Sequence, residues 1–233
     1  MDPFHQRLAQ VALTADEDLG LVLAGGYAIS AHGLTSRPSH DLDFATRSPI
    51  PMAELTNRLA DVFQEAGHAV TVIEVAPLMA RLMIVSDGQS CEIDLLKGPI
   101  GSPVLLAVGP VLALDDAVGM KVAALHDRAT HRDFIDVHAA GTRAGYTLAD
   151  LERLGAAHKP GFSAEELVDR LAAVELRADQ RFLDYGLTIH QVDEIRRWVA
   201  AWVDDIRRRL ASGTISPSGT TTTEPDWDEY LNE

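Results

Sequence analysis

The feature that most limits what this chain can fold into is a single change of hydrophobic rhythm near residue 110. Upstream, short apolar runs are punctuated by glycine, proline and polar turns. "LGLVLAGG", "DLDFAT", "HAVTVIEV", "ARLMIVSDG" and "QSCEIDLLKG" read as strands, the last two joined at Asp87-Gly88, the dipeptide most favoured in a tight hairpin. Between them, residues 4–15 place Phe4, Leu8, Val11 and Ala15 at helical spacing, and "PMAELTNRLADVFQEAG" reads as a helix with Pro51 in its first turn and Gly67 at its end. "YAISAHGL" reads as a helical turn leaving Gly25 and Gly26. From Leu114 onward the strand signals stop, and helical pattern continues with breaks at about residues 141–146 and 155–161. The expectation is an α/β (α+β) architecture: a small mixed sheet flanked by helices over residues 1–110, then a helical half over 111–212. Residues 213–233, rich in Ser, Thr, Gly and Pro and then acidic, are expected to stay disordered, because such a segment buries too little surface to order itself.

With 233 residues, 46% of them hydrophobic, the chain can build a core of that size. No apolar run approaches the roughly 18 residues that span a bilayer, the N-terminal segment lacks a signal-peptide pattern, and the one cysteine, Cys91, excludes an internal disulfide framework. The expected location is the cytoplasm, without membrane contact. The net charge of −15 works against polyphosphate partners unless basic side chains are gathered locally. Five of those acids lie in the last ten residues, leaving −10 to the remainder, and arginines gather at 128 and 132, 196 and 197, and 207 to 209.

Asp41 and Asp43 in "DLDFAT" are the anomaly of the first half. Side chains two apart on a strand share a face, so two carboxylates are held together where like charges repel. Hard dications such as Mg²⁺ (or Mn²⁺) take one or two carboxylates plus substrate phosphates, which gives such a pair a use. The plain alternative is a turn-capping Asp41 and a solvated Asp43. Three neighbours favour the metal. Gly25 and Gly26 end an apolar run and open a turn whose N–H groups can approach phosphate oxygens. Ser39 lies two residues before Asp41, on the same face if the strand has begun. Asp94, in "CEIDLL", shares a face with Glu92 and Leu96, opposite Cys91, Ile93 and Leu95, and an acid in so apolar a strand wants a partner. Three acids beside a glycine bend suit a two-metal phosphoryl or nucleotidyl transfer site.

"AGGYAISAHG" followed by "RPSHDLDFAT" resembles the signature of the nucleotidyltransferase superfamily. More narrowly, R-x-S-x-D-x-D at Arg37, Ser39, Asp41 and Asp43, with "KVAALHDRATHRDFIDV" downstream, is similar to the AbiEii/AbiGii toxin family, which includes MenT-like tRNA nucleotidyltransferase toxins. Fourteen residues separate Gly26 from Asp41, slightly more than the superfamily's usual spacer. The resemblance spans roughly residues 20–140. It implies the nucleotidyltransferase fold, an NTP substrate, a toxin–antitoxin or phage-defence role, addition of nucleotides to the tRNA 3′ end, and a cognate antitoxin.

The second segment can be read on its own. If residues 114–139 form one helix, steps of about 100° bring Lys121, Leu125, Arg128, Arg132 and Asp136 within about 80° of one another, a stripe that could hold a triphosphate. The alternatives are a solvated face with an Arg132–Asp136 pair, or a break at Thr130 with Asp133 completing a capping box. The break would leave Asp133 structural and Asp136 functional. His126-Asp127, with His131 and His138, suggests a metal phosphohydrolase of the HD type, but three histidines so close in sequence do not come from separate helices. Trp198 and Trp202, one helical turn apart, read as core anchors beneath a basic ridge of Arg196, Arg197 and Arg207 to Arg209.

The expected activity is a metal-dependent nucleotidyltransferase moving NMP from an NTP to a hydroxyl. Asp41, Asp43 and Asp94 serve as metal acids, Asp94 alternatively as the base. Gly25, Gly26, Arg37, Ser39, Lys121, Arg128 and Arg132 serve the nucleotide, and Asp136 orients Lys121 or the acceptor. Other readings are a small-molecule nucleotidyltransferase of the aminoglycoside type and a catalytically silent binding module.

Overall fold

The computed structural model describes residues 1–15 and 17–215. The acidic tail expected over 213–233 lies outside the described residues from position 216 onward. Among the described residues the chain forms two compact units, Met1–His32 with Pro38–Ala117, and Gly33–Arg37 with residues 118–215.

The first unit is a mixed sheet with helices. Its strands are β1 (Val22–Leu23), β2 (Asp41–Thr46), β3 (Ala69–Ala76), β4 (Met79–Ser86), β5 (Gln89–Lys97), β6 (Val104–Leu106) and β7 (Gly109–Val111), in the order β3-β4-β5-β2-β1-β7-β6. β2 runs parallel to β5 and β1 parallel to β7, while the other neighbours are antiparallel. Alternation along β2, β4 and β5 sorts the side chains cleanly. Leu42, Phe44, Ala80, Leu82, Ile84, Ile93 and Leu95 are all fully buried on one face. Helices α1 (Pro3–Ala15) and α3 (Met52–Glu65) pack on the sheet, α3 inserting Leu55, Leu59 and Phe63. Each such side chain contributes about 1.5–3 kcal/mol of transfer free energy, which pins the strand register, since a one-residue slip would exchange the faces. Asp87 and Gly88, at φ 50° and 77°, make the tight β4–β5 turn their sequence announces.

Three expectations need adjustment. The run "LGLVLAGG" yields a strand of only two residues, because Gly25, at φ +58°, starts α2 (Gly25–Ala31) at once. The runs read as strands omit β6 and β7, which follow β5; three-residue strands are too short to show periodicity. Pro51 caps α3 from outside its first turn.

Helix α4 (Leu114–Arg128) carries the chain into the second unit, which contains α5 (His131–Arg143), α6 (Leu148–Ala157), α7 (Ala164–Ala172), α8 (Asp179–Leu183) and α9 (Ile189–Ala211). Its core includes Phe134, Leu151, Leu167, Phe182, Ile195 and the fully buried Trp202, whose indole N–H donates to Glu152 at 2.8 Å. Trp198 meets Trp202 edge-on at 5.2 Å within α9 and the His138 ring of α5 at 5.4 Å, so the pair does anchor helix packing. Among the described residues, no helix is long and apolar enough to cross a membrane.

Candidate active site

Asp41 and Asp43 stand on the face of β2 opposite the buried Leu42 and Phe44, both half-buried. The parallel register sets Glu92 beside Asp41 and Asp94 beside Asp43. Asp43 is seated against the glycine bend: the Ala24 N–H donates to the Asp43 carbonyl at 2.8 Å, and a Cβ on Gly25 would lie 1.7 Å from Asp43 Oδ2. Only a residue without a side chain leaves room for that carboxylate. Ser39, 7% exposed, donates its hydroxyl to Asp41 Oδ1 at 2.9 Å, the same-face arrangement its spacing suggests.

Acids two apart on a strand are separated by about 6.6 Å, and at an effective dielectric near 20 each like-charge pair there costs about 2.5 kcal/mol. Part of that repulsion is answered inside the sheet. Arg81, on β4 opposite Asp94, donates Nε and Nη2 to the two Asp94 oxygens at 2.7 Å each and lies 3.3 Å from Glu92. Its own pKa is raised, chiefly by the bond to Asp94. Burial, with Asp41 nearby, pushes the Cys91 thiol up to about 12, so it stays a protonated core residue.

Among the described residues, no group of three or more His, Cys, Asp and Glu side chains is arranged to hold a metal ion. A divalent ion would therefore rest on Asp41 and Asp43. Two hard oxygen donors on one face, with Asp43 fitted into a Cβ-free cradle, suit Mg²⁺ or Mn²⁺, whose remaining positions are normally filled by substrate phosphates and water.

The second unit holds a buried triad of charges. Arg37 donates Nε to Asp136 Oδ1 at 2.7 Å and Nη2 to Oδ2 at 2.6 Å, while Lys121 Nζ lies 3.1 Å from Oδ2. The Asp136 side chain is fully buried, Arg37 3% and Lys121 10% exposed. Burial opposes the charge on Arg37, but the fork onto Asp136 outweighs it and raises its pKa; nearby Arg132 works against the charge. The Tyr185 ring lies 5.7 Å from the guanidinium carbon, and a cavity of about 440 Å³ opens alongside. Arg143 pins the segment carrying Arg37 by donating to the Leu34 carbonyl at 2.9 Å.

The single helix over 114–139 is not formed. Ala129, at φ +44°, takes a left-handed conformation that costs about 1–2 kcal/mol for a residue with a Cβ, and it ends α4. Asp133 Oδ2 then accepts from the Thr130 N–H at 3.0 Å and hydroxyl at 2.6 Å, which opens α5. Burial would raise the Asp133 pKa, but the Arg128 fork and the Thr130 hydroxyl hold it below the usual range. The break thus separates the acids: Asp133 is tied to the helix junction and to Arg128, and Asp136 to Lys121 and Arg37.

The histidines disperse. His126 meets the Ser163 backbone at 3.2 Å, His131 packs edge-on against Phe182 and His138 against Trp198, so the HD-type reading finds no shared centre. The ridge on α9 is largely neutralised by its own chain. Arg196 pairs with Asp179 at 2.5 Å, Arg208 with Asp205 at 3.2 Å, and Arg209 with Glu152 at 2.5 Å and Asp205 at 2.8 Å. Sequence reasoning missed Arg81, although the hairpin announces it: a two-residue turn at 87 and 88 pairs 86 with 89 and, counting outward, 81 with 94.

Solved structures share this architecture. MenT4, a nucleotidyltransferase toxin of Mycobacterium tuberculosis H37Rv, is 19% identical, with 87% of this chain and 84% of that chain covered at a TM-score of 0.56. JHP933 from Helicobacter pylori is 16% identical, with coverage of 91% and 94% and a TM-score of 0.54. At such identities the likeness shows the fold. No curated protein matches the sequence. The model of the family described as "Nucleotidyl transferase AbiEii toxin, Type IV TA system" matches residues 7–232. With its glycine bend, its D-x-D strand and a family match running nearly end to end, the chain belongs to the AbiEii nucleotidyltransferase toxin family of type IV toxin–antitoxin systems.

Proposed function

We propose that this nucleotidyltransferase is metal-dependent and transfers a nucleoside monophosphate from an NTP to the 3′ end of tRNA. The observation that carries the metal reading is the seat of Asp43 on Gly25, with Asp41 beside it on the same face. Family membership implies an NTP substrate and a cognate antitoxin. The tRNA acceptor rests on the resemblance of Arg37, Ser39, Asp41 and Asp43 to the MenT-like toxins.

Asp41 and Asp43 would hold Mg²⁺ or Mn²⁺, which when bound supplies Lewis-acid neutralisation of phosphate charge. The acceptor hydroxyl oxygen bonds to the α-phosphorus, the bond to pyrophosphate breaks, and the hydroxyl proton leaves. Asp94 is assigned as third acid: with both oxygens on Arg81 it keeps a lone pair on each for the hydroxyl proton. Gly25 and Gly26 face the phosphates, and Ser39, whose single hydroxyl hydrogen goes to Asp41, serves them through that acid. Lys121 and Arg37, both held by Asp136, are the cations assigned to the triphosphate, with Arg132 in support. Arg128, forked onto Asp133, must release that pair before it meets a phosphate.

Two observations favour a second acceptor class, a cationic small molecule of the aminoglycoside kind: the net charge of −15, and the arginines of α9 held by Asp179, Asp205 and Glu152. The test is incubation with α-labelled NTPs, Mg²⁺ and either total tRNA or an aminoglycoside panel. Label on tRNA is the expected result; label on the drug alone would replace the acceptor, leaving the metal site untouched.

A further inference from the structure

The Tyr27 hydroxyl lies where three segments of the first unit meet. Tyr27 sits in the first turn of α2, two residues beyond Gly25, and is 6% exposed. Its hydroxyl donates to the Ser39 carbonyl at 3.2 Å, lies 2.8 Å from His5 Nδ1, and has the Asp2 N–H at 3.5 Å. His5, in the first turn of α1, is 8% exposed, and its ring stands at 86° to the Tyr27 ring. Burial lowers the His5 pKa, and a neutral imidazole carries one N–H. A phenol has a single hydrogen; with it given to Ser39, the oxygen accepts from His5, an arrangement that requires the N–H at Nδ1.

Ser39 lies in an irregular stretch ahead of β2, so no strand ladder holds its carbonyl. Its hydroxyl is the donor to Asp41 Oδ1 at 2.9 Å. Hydrogen bonds therefore run from His5 through Tyr27 to the Ser39 backbone, and from the Ser39 side chain to Asp41. If Tyr27 were only core, a phenylalanine would fill the same space without burying a hydroxyl that needs partners.

We propose that Tyr27, clamped by His5, is a positioning residue that fixes Ser39 so that its hydroxyl holds Asp41 in metal-binding orientation. The inference rests on the reading of Asp41 and Asp43 as metal ligands. Outer partners of this kind typically contribute about 10–100-fold in metal affinity or activity.

The test is Mn²⁺ uptake by the nucleotide-free protein, followed by electron paramagnetic resonance of the free ion, together with the ¹⁵N imidazole shifts of His5. Tyr27→Phe is expected to weaken Mn²⁺ binding about 10-fold and to release His5 from a single tautomer. His5→Leu should weaken binding as much, the double variant no further, and His5→Asn, which keeps an N–H near the Nδ1 position, should restore it. The His5 pair keeps the test intact if Tyr27→Phe fails to fold. Mn²⁺ affinity unchanged in Tyr27→Phe while Asp41→Asn loses it would overturn the positioning role and spare the metal reading. An Nε2–H tautomer at His5 would overturn the relay, and no Mn²⁺ uptake by the wild type, with or without a non-hydrolysable NTP analogue, would remove the metal reading and this inference together.

Discussion

Adding one methyl group at Gly25 should separate the backbone's contribution from that of the metal acids. In Gly25→Ala the new Cβ would meet Asp43 Oδ2 at 1.7 Å, Cγ at 2.3 Å and Cβ at 2.7 Å. Ordinary contact begins at 3.4 Å, so the carboxylate oxygen must retreat by about 1.7 Å. A rotamer change cannot accomplish this, because Asp43 Cβ is itself too close and the strand must shift. Left-handed backbone at φ +58° adds about 1–2 kcal/mol of strain, or roughly 2–8 °C in Tm for a chain of this size. Misplacing a reacting group by about 1 Å can cost 100-fold, so label transfer from an α-labelled NTP should fall at least about 100-fold at 25 °C. Gly67→Ala supplies the control: φ is +86° and nothing lies within 4 Å of its Cβ. It should lose only the backbone strain of about 1–2 kcal/mol, less than Gly25→Ala, while keeping its rate within about twofold. Equal rates in the two variants would refute the claim that Asp43 needs the glycine.

Asp136→Ala would leave Arg37 and Lys121 buried without their shared carboxylate, and it should destabilise the protein by about 3–5 kcal/mol in urea melts; a loss under about 1 kcal/mol would mean the triad carries no stability. Stability should also fall on mild acidification. Burial lowers the pKa of His5, His126, His131 and His138, so below about pH 6.5 the unfolded chain binds protons that the folded chain refuses. Each fully discriminated histidine then contributes up to about 1.4 kcal/mol per pH unit, and chemical denaturation at pH 7 and pH 5.5 should show the midpoint moving down at the lower value. An unchanged midpoint would contradict neutral burial of these rings.

What could be read without coordinates was whatever local physics decides. The hairpin at Asp87-Gly88 and the strand Asp41–Thr46 follow from turn chemistry and alternation, and both stand as expected. The shared face of Asp41 and Asp43 needs only the period of two. The identity of each carboxylate's neighbours was less accessible, because it depends on strand order. That β2 lies beside β5 brings Asp43 next to Asp94, and no local signal gives that pairing. Asp136 presents the same difficulty: the helical wheel puts Lys121 on its side, but the fork from Arg37, 99 residues away, is purely tertiary. Ala129 shows the opposite failure, as its left-handed backbone runs against residue preference, and only the Thr130 and Asp133 spacing warned of it.

The most direct test of the central claim is single-turnover transfer of label from an α-labelled NTP to acceptor, with wild type and Asp43→Asn compared in Mg²⁺ and again in EDTA. The account predicts transfer by the wild type in Mg²⁺ alone, and none above background from Asp43→Asn, with the variant still folded by circular dichroism. Transfer by folded Asp43→Asn at a rate near wild type, or undiminished transfer in EDTA, would contradict it.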